Sequence, residues 1–136
     1  MLAWPAANLS GPTVERSAKT ILICEDDQHL RQLIRVVIGE GFQFVEAHDG
    51  DEAVELALAL RPQLIILDLM LPKRSGSEVL AAIRPELSRD DTHVIVVSAW
   101  PDADAAALEA GADGFLPKPF EPEELMTLVS TVLGQS

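Results

Sequence analysis

Short apolar runs alternate with amphipathic stretches along residues 20–136. In the stretch 30–38 the apolar residues recur at i, i+3, i+4, i+7 and i+8, and the same spacing returns at 125–133. This spacing places the apolar side chains on one face of an α-helix. The runs 64–67 (LIIL) and 94–97 (VIVV) contain no polar residue, which is typical of strands buried on both faces.

Turn and capping signals divide the chain into five strands and five helices in alternation. Asp49–Glu52 resembles a capping box before the second helix, and Ser75–Glu78 offers a cap for the third. Pro101 suits the first turn of a fourth helix that reaches about Ala110. Alternating elements predict an α/β fold, with a parallel sheet covered by helices on both faces. The strands are predicted at residues 21–24, 42–45, 64–67, 94–97 and 114–116.

The first residues of the chain lack this alternation. Residues 1–19 contain two prolines, small polar residues and no clear periodicity, so we expect a flexible leader or an expression remnant there. Residues 20–136 are then one compact domain, and the 48% hydrophobic content of the chain is sufficient for a core.

The charge balance narrows the possible partners. The chain has 22 acidic and 10 basic residues and a formal net charge of −12, which disfavours direct binding to the phosphate backbone of a nucleic acid. The longest apolar runs, such as 79–83, have five residues, far fewer than the roughly 20 that a membrane-spanning helix needs. A single cysteine, Cys24, excludes an internal disulfide and fits a reducing compartment, so we expect a cytoplasmic protein.

Polar side chains follow four of the five predicted strands. Glu25 and Asp26 follow the first strand, Asp68 the third, Ser98 the fourth and Lys118 the fifth. In open parallel sheets, ligands bind beyond the carboxyl ends of the strands. We therefore expect these side chains to converge at one edge of the sheet.

The residue types at this edge favour phosphoryl chemistry with a divalent cation. Three crowded carboxylates repel one another, and a cation such as Mg²⁺ or Mn²⁺, which prefers carboxylate oxygens, removes that conflict. The hydroxyl of Ser98 and the ammonium of Lys118 suit the oxygens of a phosphoryl group. Asp68 is then the nucleophile that becomes an aspartyl phosphate.

Each of these residues also has an ordinary structural interpretation. Asp26 or Asp27 could cap the first helix, Asp68 could be a turn aspartate, and Ser98 could be a loop hydroxyl. Capping is the better interpretation of the acidic pair taken alone. The coincidence of Asp68 and Lys118 at the same predicted edge reverses that preference.

Four segments carry a resemblance to a known family. ILICEDD at 21–27, LIILDLMLPKRSG at 64–76, VIVVSAW at 94–100 and GADGFLPKPF at 111–120 resemble, in order and spacing, the receiver domain of two-component response regulators. The resemblance implies a flavodoxin-like (βα)5 fold with strand order 2-1-3-4-5. It also implies transfer of a phosphoryl group to an aspartate from the phosphohistidine of a sensor histidine kinase or phosphotransfer protein.

The resemblance implies roles for individual residues by position. Asp68 matches the phosphoacceptor, and Glu25 and Asp26 match the acidic pair that binds Mg²⁺. Met70 matches the position whose backbone carbonyl is a further metal ligand. The remaining matches are Ser98 as the switch hydroxyl, Phe115 as the switch aromatic, and Lys118 as the lysine before a cis Pro119.

The resemblance further implies a signalling protein that catalyses only its own phosphorylation and dephosphorylation. Phosphorylation would change how the face of the fourth helix, fifth strand and fifth helix binds an effector or a second copy of the chain. No output domain is expected in this chain, which is either a stand-alone receiver or part of a longer regulator or hybrid kinase. Met70 and Trp100, two residues beyond Asp68 and Ser98, are expected to shield the aspartyl phosphate from water.

Two alternatives remain at this point. A phosphorylation-independent adaptor could keep the receiver fold as a scaffold. A Mg²⁺-dependent phosphohydrolase could use Asp68 as its nucleophile. Relatives of haloacid dehalogenases place a second Asp two residues later, where this chain has Met70, which makes the phosphohydrolase the weaker of the two.

Overall fold

Five strands and five helices alternate along the chain in a computed structural model, which describes residues 19–100 and 102–134. The strands are β1 (Lys19–Cys24), β2 (Phe42–Ala47), β3 (Leu64–Asp68), β4 (His93–Ser98) and β5 (Gly114–Pro117). The helices are α1 (Gln28–Ile38), α2 (Gly50–Leu60), α3 (Gly76–Ile83), α4 (Asp104–Glu109) and α5 (Pro122–Val132).

All five strands are parallel, in the order β2-β1-β3-β4-β5. This is the predicted 2-1-3-4-5 order, and the α/β fold class is confirmed. The chain moves outward in one direction from β1 to β2 and in the other from β3 to β5. The crevice at the carboxyl ends of β1 and β3 is therefore the topological switch point, where ligands bind in such sheets.

Helices cover both faces of the sheet, as predicted. On one face α1 and α5 pack against each other and against the sheet, and on the other face α2 packs against α3. Every residue of β3 is buried, which explains why the LIIL run carries no polar side chain. No helix in the described part of the chain is long and apolar enough to cross a membrane.

Two predicted boundaries differ from the structure. β1 begins at Lys19, one residue inside the predicted leader, and the rest of that leader (1–18) lies outside the described residues. The fourth helix was expected from Pro101 to about Ala110 but spans only Asp104–Glu109. Pro101 itself lies outside the described residues. The helix begins late because Asp102 has a φ of 66°, which no right-handed helix accommodates.

The predicted caps at the starts of α2 and α3 have different outcomes. Ser75 and Glu78 form a complete capping box before α3. Before α2, the side chain of Asp49 accepts a hydrogen bond from the Glu52 N–H at 2.8 Å. The Glu52 carboxylate, however, accepts from the N–H of His48, at 2.7 Å, so the predicted reciprocal box is wrong by one residue. The starts of α2 and α3 are nevertheless both capped by a side chain, that of Asp49 and that of Ser75.

Gly76 allows the start of α3 to lie directly against the end of β3. A Cβ atom at Gly76 would lie 2.4 Å from the carbonyl oxygen of Asp68 and 2.6 Å from the Cα of Leu69. The N–H of Gly76 donates to the carbonyl of Leu69 at 2.9 Å. The backbone that carries Asp68 is thus packed against a helix that only glycine permits at this distance.

Replacing Gly76 with alanine is expected to lower the free energy of unfolding by about 1–3 kcal/mol, because the atoms that the new methyl group would meet belong to the backbone and cannot rotate away. Urea unfolding measures the change. The control is Ser77→Ala at the next, exposed position of α3, which should change stability by less than about 0.5 kcal/mol. A Gly76→Ala variant as stable as the wild type would contradict this close packing.

Candidate functional site

The side chains predicted to converge lie at the carboxyl edge of the sheet. Asp68 is the last residue of β3 and Ser98 the last of β4, and both are buried. Glu25 directly follows β1 and is also buried, whereas Asp26 is exposed. Lys118 follows β5 and is half-buried. Asp68 and Ser98 are on neighbouring strands, since Asp68 is paired in register with Val97.

Lys118 joins two of the acids. Its Nζ atom donates to Oε1 of Glu25 and to Oδ2 of Asp68, at 3.1 Å in each case. Burial disfavours the charged ammonium, but the hydrogen bonds and the negative charges of the two carboxylates outweigh it and raise the pKa of Lys118. The lysine is therefore a fixed positive charge at the centre of the site.

Glu25 is the most strongly perturbed acid in the site. Burial, the largest cause, and the charge of Asp68 raise its pKa to about 7, although the Asp27 N–H and Lys118 both act to lower it. The sequence indicated repulsion among crowded carboxylates, and the charge of Asp68 does raise this pKa, but desolvation contributes more than that repulsion.

Backbone amides hold the acidic and hydroxyl side chains in place. The N–H of Met70 donates to Oδ1 of Asp68 at 3.0 Å, and the N–H of Trp100 donates to Oγ of Ser98 at 3.0 Å. The N–H of Asp27 likewise donates to Oε2 of Glu25, at 3.1 Å. Such bonds to an amide two residues later are local and stiff, so the orientation of each side chain follows from its own loop.

The carboxylates of Glu25, Asp26 and Asp68 fit a divalent cation. Each offers one oxygen, and these oxygens lie within 4.8 Å of one another. Ligands on opposite sides of Mg²⁺ are about 4.2 Å apart, given Mg–O distances of about 2.1 Å, so small side-chain shifts suffice. Lys118 alone does not balance three carboxylates. The Met70 carbonyl as a fourth protein ligand stays a prediction.

Of the two residues that could cap the first helix, Asp26 and Asp27, only Asp27 does so. Asp27 is the N-cap of α1, where its carboxylate accepts from the N–H of His29 at 2.9 Å. Asp26 belongs to the carboxylate cluster. Consecutive acids therefore divide the two roles, the first two facing the crevice and the third capping the helix.

Arg31 contacts the site, and the sequence did not indicate it. Its guanidinium donates to the backbone carbonyl of Glu25 at 2.7 Å, and the side chain is buried. In the sequence Arg31 lies on the polar face of an amphipathic helix, where a charged residue is ordinary. No local signal distinguishes it from Arg35 one turn later.

The affinity of the site for Mg²⁺ is expected to fall as the pH drops below about 7. Glu25 must be deprotonated to bind the cation, and with its pKa of about 7 an increasing fraction is protonated below that pH. The dissociation constant should rise by up to about tenfold per pH unit for the one proton displaced. Calorimetric titration across this range measures it, with Glu25→Gln as the control that binds weakly and without this pH dependence. A constant affinity would contradict the role of Glu25.

Comparisons with known proteins agree with this geometry. The model of the response regulator receiver domain family matches residues 21–130. The response regulator MprA of Mycobacterium ulcerans (strain Agy99) is 37% identical over 119 residues, which are 85% of this chain and 50% of that protein. MprA of Mycobacterium tuberculosis (strain ATCC 25618 / H37Rv) is 36% identical over 85% of this chain and 51% of its own length. The chain thus spans about half the length of these curated relatives.

Solved receiver domains have the same fold. The receiver domain of AraT, a response regulator from Geobacillus stearothermophilus, superposes with a TM-score of 0.76 at 31% identity, covering 86% of this chain and 94% of that domain. The receiver domain of the Francisella response regulator 1452 gives 0.75 at 28% identity, covering 85% and 97%. With the family match over residues 21–130 and the acidic crevice at the switch point, the chain belongs to the response regulator receiver domain family.

Proposed function

We propose that this chain receives a phosphoryl group on Asp68 from the phosphohistidine of a sensor histidine kinase or phosphotransfer protein, with Mg²⁺ or Mn²⁺ at the neighbouring carboxylates. The observation that carries the proposal is the position of Asp68. Its buried carboxylate ends the central strand, 3.1 Å from Lys118 Nζ and within 4.8 Å of the oxygens of Glu25 and Asp26. These groups supply a nucleophile, a fixed cation and a cation-binding pair.

The proposed transfer needs no acid–base catalyst. An oxygen of Asp68 forms a bond to phosphorus as the phosphorus–nitrogen bond to the donor histidine breaks, and the imidazole leaves with the electron pair and takes a proton. The carboxylates of Glu25, Asp26 and Asp68 would hold the divalent cation, which would supply positive charge for the phosphoryl oxygens. Lys118 contributes a second positive charge, since its Nζ atom lies 3.1 Å from Oδ2 of Asp68.

The switch is proposed to operate through Ser98 and Phe115. The two residues lie on adjacent strands with the same parity, since Ser98 pairs with Pro117 and Val96 pairs with Phe115, so both project from the same face of the sheet. Ser98 would turn its hydroxyl from the Trp100 N–H to the phosphoryl group. Phe115 is half-buried and lines an open surface groove together with Leu108 of α4, and a change of its rotamer would alter this groove.

Phosphorylation would then change the α4–β5–α5 face, which we propose binds a downstream effector or a second copy of the chain. The two states must differ in their contacts for the phosphoryl group to shift their populations. The chain catalyses only its own phosphorylation and dephosphorylation in this proposal. It acts in the cytoplasm and, with its net charge of −12, does not itself bind nucleic acid.

Incubation with Mg²⁺ and acetyl phosphate is expected to add one phosphoryl group to the wild type and none to Asp68→Asn, because asparagine has no carboxylate oxygen to attack the donor. Intact mass measures the product. Asp27→Asn is the matched control, since it removes a neighbouring carboxylate that caps α1 but lies outside the cluster. It should be phosphorylated like the wild type.

Failure of the wild type to gain a phosphoryl group would exclude the proposal and favour the phosphorylation-independent adaptor. Equal gain by Asp68→Asn would place the acceptor elsewhere. Catalytic turnover of a small phosphate ester would instead favour the phosphohydrolase.

Met70→Asn and Trp100→Ala are expected to release inorganic phosphate from the phosphorylated protein about threefold faster or more. The backbone of each residue adjoins the site, because its N–H group donates to Asp68 or Ser98, and the two side chains are about half-exposed, at 53% and 48%. Removing a bulky apolar shield admits water, and a barrier lowered by about 0.7 kcal/mol gives this factor.

Phosphate release is followed after the donor is removed. The control is Met126→Asn on α5, since Met126 has the same 53% exposure and its backbone bonds no residue of the site. Its release rate should equal that of the wild type. Unchanged rates in both Met70→Asn and Trp100→Ala would refute the shielding role.

A further inference from the structure

Arg31 is a buried cation that the proposed phosphoryl transfer does not use. It is 8% exposed, and a charged side chain at that depth is expected to be paired and hydrogen-bonded. Its Nε donates to Oε1 of Glu46 at 2.8 Å, and its Nη1 donates to the carbonyl oxygen of Glu25 at 2.7 Å. One guanidinium therefore connects a strand-borne carboxylate with the backbone of the candidate cation site.

The Glu25 carbonyl lies beyond the sheet ladder. Register pairing of β1 with both β2 and β3 ends at Cys24. Past that point the N–H of Glu25 donates to the carbonyl of Ala47 at 3.1 Å, and the Glu25 carbonyl accepts from Arg31. The peptide unit that follows Glu25 is thus oriented by the arginine.

This peptide unit connects the two acids of the pair. Its carbonyl belongs to Glu25 and its nitrogen to Asp26, and the six atoms of the unit are coplanar. Holding this carbonyl in one direction therefore restricts ψ of Glu25 and φ of Asp26, the backbone torsions on either side of the peptide plane. Arg31 bonds the backbone of a candidate ligand residue and not its carboxylate. Loss of partners that orient metal ligands commonly lowers metal affinity by about 10–100-fold, so we expect an effect at the lower end of that range.

Glu46 holds Arg31 in turn. Its second oxygen, Oε2, accepts from Nη1 of Arg35 at 2.7 Å, and the guanidinium of Arg35 lies 5.5 Å from the centre of the Phe44 ring. Arg35 shares the Glu46 contact but is half-exposed, with 49% of its side chain accessible. The two arginines therefore differ in the contact that Arg31 makes with Glu25.

We propose that Arg31 is a positioning residue for the divalent cation: by holding the Glu25 carbonyl from an anchor on Glu46, it aligns the carboxylates of Glu25 and Asp26. The inference rests on the proposed function, since it requires that these carboxylates bind Mg²⁺. It adds a residue of α1 and a residue of β2 to the determinants of cation affinity.

Charge alone predicts the opposite result on mutation, which makes the inference testable. Removing a positive charge near a cation site strengthens cation binding by Coulomb's law. Losing the alignment of the carboxylates weakens it. Arg31→Met and Arg35→Met each remove one positive charge and one bond to Glu46, but only Arg31→Met also removes the bond to the Glu25 carbonyl.

The experiment is a calorimetric titration of Mg²⁺ into the wild type, Arg31→Met and Arg35→Met at a pH above 7. We expect the dissociation constant to rise about tenfold in Arg31→Met and to stay within about twofold of the wild type, or fall slightly, in Arg35→Met. The Mg²⁺ concentration that half-saturates phosphorylation by acetyl phosphate should rise by the same factor. The phosphorylation rate at saturating Mg²⁺ should change by less than about twofold, because bound Mg²⁺ restores the alignment.

Wild-type affinity in a folded Arg31→Met variant, or equal weakening in both variants, would overturn the inference. If Arg31→Met does not fold, Arg31→Lys is measured instead. Lysine keeps the positive charge but lacks the planar guanidinium that bonds Glu46 and the Glu25 carbonyl at the same time. It should weaken Mg²⁺ binding by at least about threefold, and unchanged affinity would refute the role of Arg31. Absence of Mg²⁺ binding in the wild type would overturn the proposed function as well. If the wild type binds Mg²⁺ and is phosphorylated on Asp68 but the variants do not differ as expected, only the role of Arg31 is refuted.

Discussion

The ammonium group of Lys118 lies between the carboxylates of Glu25 and Asp68 and joins the ends of β5, β1 and β3. Two buried carboxylates at such short range repel each other, because a protein interior screens charge poorly. One ammonium offsets part of this repulsion, and the raised pKa of Glu25 reports the burial and repulsion that remain. The site thus holds more negative charge than its own lysine balances, which is the physical basis of its fit to a divalent cation.

This contact is possible only in one arrangement of the chain. Glu25 and Lys118 are 93 residues apart in the sequence, and β1 and β5 are not neighbours in the sheet. Both strands must be parallel to β3 for their carboxyl ends to reach the same edge as Asp68. The all-parallel order and the burial of β3 between two helical layers are therefore conditions of the site, as well as features of the fold.

The main chain holds the site from several sides. Amides two residues later bind the side chains of Glu25, Asp68 and Ser98, and Gly76 lets α3 pack against the carbonyl of Asp68. Ordering the loops in this way before any ligand binds reduces the conformational entropy that binding would otherwise cost. Arg31 extends the same logic to the peptide that joins Glu25 and Asp26.

Prediction succeeded where the signal is local and strong. The apolar runs LIIL and VIVV predicted β3 and β4. The amphipathic stretches 30–38 and 125–133 predicted α1 and α5, because periodicity shows directly which side chains are buried. The predicted start of the fourth helix was wrong, because Asp102 adopts a left-handed backbone conformation that no neighbouring residue in the sequence indicates. Prediction also misplaced the Glu52 contact, because the side chain reached His48 instead of Asp49, a choice between adjacent amides that the sequence does not encode.

The sequence by itself determined the parallel α/β architecture and the five residues of the site. Its apolar runs, helix caps and polar residues at the strand ends were sufficient for both. Those features depend on short stretches of chain, whose periodicity and turn chemistry act locally. Only the tertiary structure decided that Glu25 has a pKa near 7, that Lys118 lies between two acids, and that Arg31 rather than Arg35 reaches the site. Burial and interatomic distance decide these properties, and both arise when segments far apart in the sequence pack together.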